Sequence, residues 1–189
     1  MKLSNPKIIL ASASPRRREL LKEIVDNFEI VTADVDESCE TVEPHKKVVE
    51  LSLRKALAID KKDVLIIASD TLVFDDKKPL GKPKNFEDAF EMLQELSGRI
   101  HQVYTGVCLK YNDETITFYD KTDVEFNKLA PEEISRYIHG FNPLDKAGAY
   151  GIQDGVCVKA IHGSYSNVVG LPQEKLRQYL TEIGVKIKE

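Results

Sequence analysis

Polar side chains that suit phosphate chemistry stand at four places beside apolar segments of this chain. They are the segment 12–17, Lys55, Asp70 and Lys82. Cations, together with backbone N–H groups at the start of a helix, favour a phosphate ligand. A carboxylate close behind five apolar residues, as Asp70 is behind residues 64–68, can serve as a base once burial or a metal ion tunes it. The pattern alone also allows a solvated basic first turn and an ordinary turn aspartate.

A second acidic segment copies a different catalytic pattern. Asp34-Val35-Asp36-Glu37-Ser38 has the D-x-D-x-[TS] form of haloacid dehalogenase phosphatases, which would form an aspartyl-phosphate on Asp34. Those enzymes also need a later lysine and an acidic pair after another strand, and this chain shows no such pair in that setting. A polar loop that follows a strand is therefore the favoured interpretation of this segment.

Other common catalytic and metal-binding patterns are missing from the sequence. The four histidines have no H-x-x-x-H spacing, and there is no G-x-S-x-G elbow and no G-x-x-x-x-G-K-[ST] loop. This argues against a zinc site, acyl transfer and P-loop chemistry. Cys39, Cys108 and Cys157 form no C-x-x-C pair, so we expect reduced thiols in a cytosolic protein.

Composition and charge narrow the classes of partner. The chain has 189 residues, with 27 Lys and Arg against 31 Asp and Glu, and a formal net charge of −4. This balance argues against binding a nucleic-acid polymer without regard to its sequence, which needs a surplus of cations. The apolar run after residue 7 is too short for a signal segment or a membrane span. We therefore expect a cytoplasmic protein without a membrane partner.

Alternating strand and helix patterns without a linker predict one α/β domain over residues 1–189, built on a mixed sheet. Strands are expected at residues 8–11, 28–32, 64–68, 72–74, 79–80, 100–109, 115–126 and 156–161. Helices are expected to begin at Pro15, at Pro44 and after the cap residue Asn85, and to cover residues 131–138 and 172–183. The second helix should bury Leu57. The strand at 64–68 should be buried on both faces and end at the polar triplet 69–71.

Five segments lie in a characteristic order along the chain. They read LASASPRRRELL at residues 10–21, ASDT at 68–71, LGKP at 80–83, LSG at 96–98 followed by His101, and DKAGAYGIQ at 145–153. Together they resemble the Maf family of nucleoside triphosphate pyrophosphatases over nearly the whole chain. The resemblance implies a catalytic centre at Asp70 rather than at Asp34 and Asp36.

The resemblance implies the fold of inosine triphosphatases and hydrolysis of a nucleoside triphosphate to monophosphate and pyrophosphate with a divalent cation, magnesium or manganese. Residues 148–153 resemble the subfamily that acts on dTTP and UTP, which implies removal of modified pyrimidine nucleotides by a cytosolic homodimer. By this resemblance Asp70 is the proton acceptor, and Arg16, Thr71 and Gln153 select the substrate. The same resemblance assigns phosphate binding to Ser12, Arg16, Arg17, Lys55 and Lys82, and metal binding to Asp70 and Glu37.

The residue types suit these roles. Several cations offset the charge of a triphosphate, carboxylates suit a hard divalent cation, and the Gln153 amide can pair with a pyrimidine edge. After Gln153 the usual G-x-G turn of the family is replaced by the shorter Asp154-Gly155, beside the expected base pocket. Two alternatives stay open: a nucleotide-binding regulator of septum formation with a cell-division partner, and the haloacid dehalogenase-type phosphatase.

Overall fold

The computed structural model describes residues 1–32, 34–76 and 78–188. Its strands are β1 (Lys7–Leu10), β2 (Glu29–Ile30), β3 (Val64–Phe74), β4 (Pro79–Leu80), β5 (Ile100–Tyr111), β6 (Glu114–Phe126) and β7 (Val158–His162). Within the described residues they form one sheet in the order β2-β1-β3-β5-β6-β7, with β4 beside β3. β1 pairs in parallel with β2 and β3, and the other pairs are antiparallel. The predicted mixed α/β sheet is confirmed.

The helices are α1 (Pro15–Lys22), α2 (Pro44–Leu57), α3 (Phe86–Leu96), α4 (Pro131–Gly140), α5 (Tyr165–Val169) and α6 (Gln173–Glu182). Side-chain caps set the start of α1, where Ser14 Oγ accepts the N–H of Arg17, and of α3, where Asn85 Oδ1 accepts the N–H of Asp88;. The sequence did not predict α5, because five residues are too few to show a helical period;. No helix in the described ranges is long and apolar enough to cross a membrane.

Both faces of the central strands β1 and β3 are covered. Leu10 and Leu65 belong to a cluster of buried side chains shared with α1 and α6. Ile9 and Ile66 point the other way, into a cluster shared with α2. A further cluster joins α3 and α4 to the sheet around Phe126. The uninterrupted apolar run at the start of β3 follows from this double coverage, as predicted.

Two predictions about the elements near the site were wrong. β3 does not end at the polar triplet 69–71 but continues through it to Phe74, because its ladder with β5 is unbroken there and Asp70 pairs with Gly106. Asp70 therefore lies within a strand instead of at a strand end. Leu57, expected on the buried side of α2, is the last residue of that helix and is 55% exposed. β2 is also shorter than the predicted strand and its two residues are exposed.

Gly106 determines how closely α2 approaches the sheet. A Cβ atom at this position would lie 2.3 Å from the carbonyl carbon and oxygen of Val48 and 2.6 Å from the backbone nitrogen of Val49. The absence of a side chain therefore lets the backbone of α2 rest directly on β5. Since Gly106 is paired with Asp70, this close contact lies beside the predicted catalytic carboxylate. It brings the far end of α2 within reach of β3.

Candidate functional site

A cleft of about 710 Å³ lies between the β1–α1 loop, α2, β3 and the segment 145–153. Each of the nine site residues predicted from the sequence lines this cleft: Ser12, Arg16, Arg17, Glu37, Lys55, Asp70, Thr71, Lys82 and Gln153. They come from segments that are far apart in the chain. The structure therefore brings together every residue of the predicted constellation.

Lys55 joins two carboxylates at the centre of the cleft. Its Nζ lies 2.5 Å from Asp70 Oδ1 and 2.9 Å from Glu37 Oε1. The side chains of Lys55 and Asp70 are 17% and 13% exposed, so solvent screens this pair much less than a surface ion pair;. Glu37 is 65% exposed, and its pKa is lowered, chiefly by the hydrogen bond from Lys55 and further by the charges of Lys82 and Arg17. Glu37 is therefore a carboxylate acceptor at neutral pH.

The loop that carries Glu37 is fastened to α2 by an arginine. The Arg54 guanidinium donates to the backbone oxygens of Asp36 at 3.1 Å and Ser38 at 2.6 Å, which flank Glu37. Arg54 also pairs with Glu50 one turn earlier in α2. This supporting pair was not predicted from the sequence. The Glu-x-x-x-Arg spacing on the helix was the available signal, although it is common on solvated helix faces.

Arg17 uses most of its hydrogen-bond donors for contacts within the protein. Its Nε donates to the carbonyl oxygen of Gly170 at 2.9 Å, and its Nη1 donates to Ser69 O at 2.9 Å and Ser12 Oγ at 3.3 Å. Its Nη2 donates to Thr71 Oγ1 at 2.9 Å. Burial lowers the pKa of this guanidinium, although it remains charged at neutral pH;. Arg17 thus holds Ser12 and Thr71 in place and leaves only part of its donor set facing the cleft.

Arg16 and Lys82 are the more accessible cations of the site. Arg16 Nη1 lies 2.9 Å from Asp145 Oδ2, in a pair whose side chains are 25% and 44% exposed. This contact links α1 to the segment that carries Gln153. Lys82 is exposed, lines the same cleft and is close enough to Glu37 to lower its pKa. Both side chains are therefore accessible to an anion that enters the cleft.

The segment that ends in Gln153 is connected to a buried pair of rings. The Tyr150 hydroxyl lies 2.8 Å from His101 Nε2, and both rings pack edge-on against Phe126. His101 is fully buried, and burial lowers its pKa to about 4. At neutral pH the imidazole is therefore uncharged. It belongs to the supporting structure of the cleft and not to its cation set.

The two aspartates of the phosphatase-like motif lie elsewhere. Asp34 and Asp36 are exposed loop residues, and neither lines the cleft. The Asp36 carboxylate accepts hydrogen bonds from the backbone N–H and the hydroxyl of Ser38, which lower its pKa. This is the geometry of a local turn. The haloacid dehalogenase-type alternative therefore has no support in the structure.

The fold and the cleft together define an α/β protein whose site sets cations around a central pair of carboxylates, an arrangement suited to a polyphosphate. The family described as Maf-like protein matches residues 7–183. The chain therefore belongs to the Maf-like family, as its sequence segments predicted.

Curated relatives cover almost the full length of the chain. A dTTP/UTP pyrophosphatase of Thermosipho africanus is 48% identical, over 95% of this chain and 94% of the relative. A dTTP/UTP pyrophosphatase of Clostridium perfringens is 46% identical, over 96% and 99%. One of Agathobacter rectalis is 45% identical, over 95% and 98%. The chain is thus similar throughout to proteins that carry this name.

Proposed function

We propose that this protein hydrolyses nucleoside triphosphates, preferentially dTTP and UTP, to the monophosphate and pyrophosphate. The observation that carries the proposal is the convergence of Asp70 and Glu37 on Lys55 inside a cleft that also presents Arg16 and Lys82. The names of relatives 45–48% identical support the same reaction and the same pair of substrates.

Side chains in the cleft can carry out each step of this reaction. Arg16, Lys55 and Lys82 offset the negative charge of the phosphates. Asp70 accepts the proton of a water molecule that attacks the α-phosphorus. The bond from that phosphorus to its bridging oxygen breaks, and pyrophosphate leaves. Lys55, bonded to Asp70 at 2.5 Å, holds the accepting carboxylate in position.

The donor set fits a divalent cation bound together with substrate. Within the described ranges there is no cluster of three His, Cys, Asp or Glu side chains that would hold a metal by itself. Magnesium is commonly held by one or two carboxylates plus substrate phosphates, and Asp70 and Glu37, joined by Lys55, provide such a pair. Magnesium or manganese would supply additional positive charge for the phosphates and acidify the attacking water.

Product analysis tests the proposal directly. The purified protein is incubated with dTTP, UTP and 7-methyl-GTP in the presence of magnesium or manganese, and pyrophosphate, orthophosphate and nucleotides are separated and quantified. We expect equal amounts of nucleoside monophosphate and pyrophosphate, formed fastest from dTTP and UTP. Orthophosphate with nucleoside diphosphate as the products would contradict the proposed bond cleavage. Omission of the divalent cation should abolish turnover.

The proposal also covers the domain organisation, oligomeric state, location and physiological task of the protein. We propose one domain over residues 1–189, a homodimer, a cytoplasmic location and removal of modified pyrimidine nucleotides as the physiological task. The alternative of a non-catalytic regulator with a cell-division partner is less favoured, because binding a nucleotide as a signal does not require a carboxylate positioned by a lysine. If overproduction of the protein blocked cell division, and a variant without the Asp70 carboxylate blocked it equally, that alternative would be favoured instead.

A further inference from the structure

The amide proposed to select the base is carried by a very short turn. Gln153 is the middle residue of the one-turn segment Ile152–Asp154, and its exposed side chain lines the cleft. The turn closes with a hydrogen bond from the N–H of Asp154 to the carbonyl oxygen of Gly151, 3.1 Å long. Gly155 follows in the left-handed conformation, with φ of 69°. The position of the Gln153 amide therefore depends on what holds this backbone.

One phenol oxygen contacts the turn on both sides of Gln153. The hydroxyl of Tyr137, on α4, accepts the backbone N–H of Gly151 at 3.0 Å and donates to Asp154 Oδ2 at 2.5 Å. A Cβ atom at Gly151 would lie 2.7 Å from that same carboxylate oxygen. The bonded groups are thus packed closely around the phenol oxygen.

The Tyr137 ring is well fixed for this task. The residue is 2% exposed and lies in the buried cluster that joins α3 and α4 to the sheet. It also stacks on Phe141, with ring centroids 5.0 Å apart. Burial and the hydrogen bond to Asp154 raise the pKa of the phenol, so the hydroxyl keeps its proton and can donate it throughout the physiological pH range.

We propose that Tyr137 is a positioning residue for pyrimidine selection, because its hydroxyl holds the turn that presents Gln153 to the base. This inference rests on the proposed function. Hydrogen-bonded recognition is sensitive to small displacements, since a donor or acceptor moved by about 1 Å loses most of its bond. Asp154, the residue after Gln153, supplies the side-chain acceptor for the phenol.

The test removes the hydroxyl and compares two substrates. Tyr137→Phe keeps the ring and deletes both hydrogen bonds. We expect kcat/KM for UTP to fall about tenfold, mainly through KM, in line with the loss of roughly 1.4 kcal/mol of hydrogen-bonded positioning. Turnover of ribose triphosphate, which has the sugar and phosphates but no base, should be unchanged. In a Gln153→Ala background the effect of Tyr137→Phe on UTP should disappear.

Controls separate positioning from general packing. Tyr179→Phe removes a phenol oxygen from α6, where the ring stacks on Phe118. This variant should hydrolyse UTP and ribose triphosphate as fast as the unaltered protein. If Tyr137→Phe fails to fold, Asp154→Ala removes one of the two bonds from the other end and should lower UTP turnover selectively. Equal losses for UTP and ribose triphosphate, or no loss for UTP, would overturn the inference.

A measurement without substrate keeps the inference separate from the proposed function. In Tyr137→Phe the hydrogen exchange of the Gly151 amide should become at least about tenfold faster than in the unaltered protein, because its acceptor is gone. Unchanged exchange would contradict the positioning role even if the enzyme is active. If the unaltered protein released no pyrophosphate from UTP, the proposed function would fail while the exchange result still decided whether Tyr137 holds the turn.

Discussion

The two sides of the cleft are held in place by different kinds of contact. On the charged side, which we define as Glu37, Lys55 and Asp70, ionised groups neutralise one another within 3 Å. On the turn side, defined as residues 150–154, uncharged buried groups hold the backbone, with His101 bonded to Tyr150 and Tyr137 to Gly151. Charged groups that bind phosphate must remain ionised, whereas a turn that reads a base needs rigidity more than charge.

The charged side and the turn side should respond differently to substitution. A change on the charged side removes a group that we propose acts on the substrate, so activity should fall with little change in stability. A change beneath the turn side removes buried contacts, so stability or selectivity should respond first.

The largest effect is expected at Asp70. Asp70→Asn keeps the shape of the side chain but removes the proposed proton acceptor, so kcat/KM for UTP should fall about a thousandfold. The free energy of unfolding should change by less than about 1 kcal/mol, because an amide can still accept a hydrogen bond from Lys55. Pyrophosphate release and thermal unfolding measure the two quantities. Asp34→Asn, at an exposed residue outside the cleft, is the control and should retain full activity. Full turnover by Asp70→Asn would show that Asp70 is not the base.

Gly106→Ala should disturb the support of the charged side. The new Cβ would lie 2.3 Å from the backbone of Val48, so α2 must move away from β5 and carry Lys55 with it. We expect the free energy of unfolding to fall by roughly 3 kcal/mol, measured by urea unfolding, with a loss of activity. Gly140→Ala is the matched control, because nothing lies within 4 Å of its ideal Cβ. Equal stability of the two variants would refute the close-contact explanation of Gly106.

The buried imidazole of His101, which supports the turn side through Tyr150, predicts a pH dependence of stability. Burial lowers the pKa of His101 to about 4; the charge of Asp75 opposes this shift and the charge of Arg99 adds to it, both by smaller amounts. Between this value and the ordinary pKa near 6.5, the unfolded chain binds a proton that the folded protein does not. Acidification through this window should therefore destabilise the protein, by about 2 kcal/mol at pH 4.5 relative to pH 7 for this residue.

Urea unfolding at the two pH values measures this contribution when the unaltered protein is compared with His101→Gln. The variant lacks the titrating group, so its own loss on acidification should be smaller by that amount. His139→Gln is the control, since His139 is exposed. An identical pH dependence in His101→Gln and the unaltered protein would show that His101 contributes nothing to acid sensitivity.

The smallest effect is expected at Gln153 itself. Gln153→Ala removes the amide proposed to pair with the pyrimidine edge, and the ratio of kcat/KM for UTP to that for 7-methyl-GTP should fall about tenfold, as for loss of one or two hydrogen bonds. Stability should not change, because the side chain is exposed. Gln178→Ala, at an exposed position of α6, serves as the control. An unchanged substrate ratio would remove Gln153 from base selection.

Prediction from the sequence succeeded where a residue type carries its own signal. Most strands and helices, the cap at Asn85 and the short strand β4 were visible as local patterns, whereas the five-residue helix α5 was not. The nine cleft residues were predicted too, because charged groups beside apolar runs are conspicuous and because five ordered segments resemble one family. The polar triplet 69–71 was wrongly predicted to end β3, because a strand paired with a neighbour on both sides tolerates polar residues that a sequence pattern assigns to a loop.

The sequence by itself determined the mixed α/β fold, the family and nine of the residues that line the cleft, because these depend on local propensity, on the period of apolar residues and on motif order. Only the tertiary structure decided the partners of those residues: Lys55 between two carboxylates, Arg17 directed into the protein, and Tyr137 beneath the turn of Gln153. Buried tyrosine and histidine look like ordinary core residues in a sequence. Their hydrogen bonds join segments that are distant in the chain, and folding alone brings these segments together.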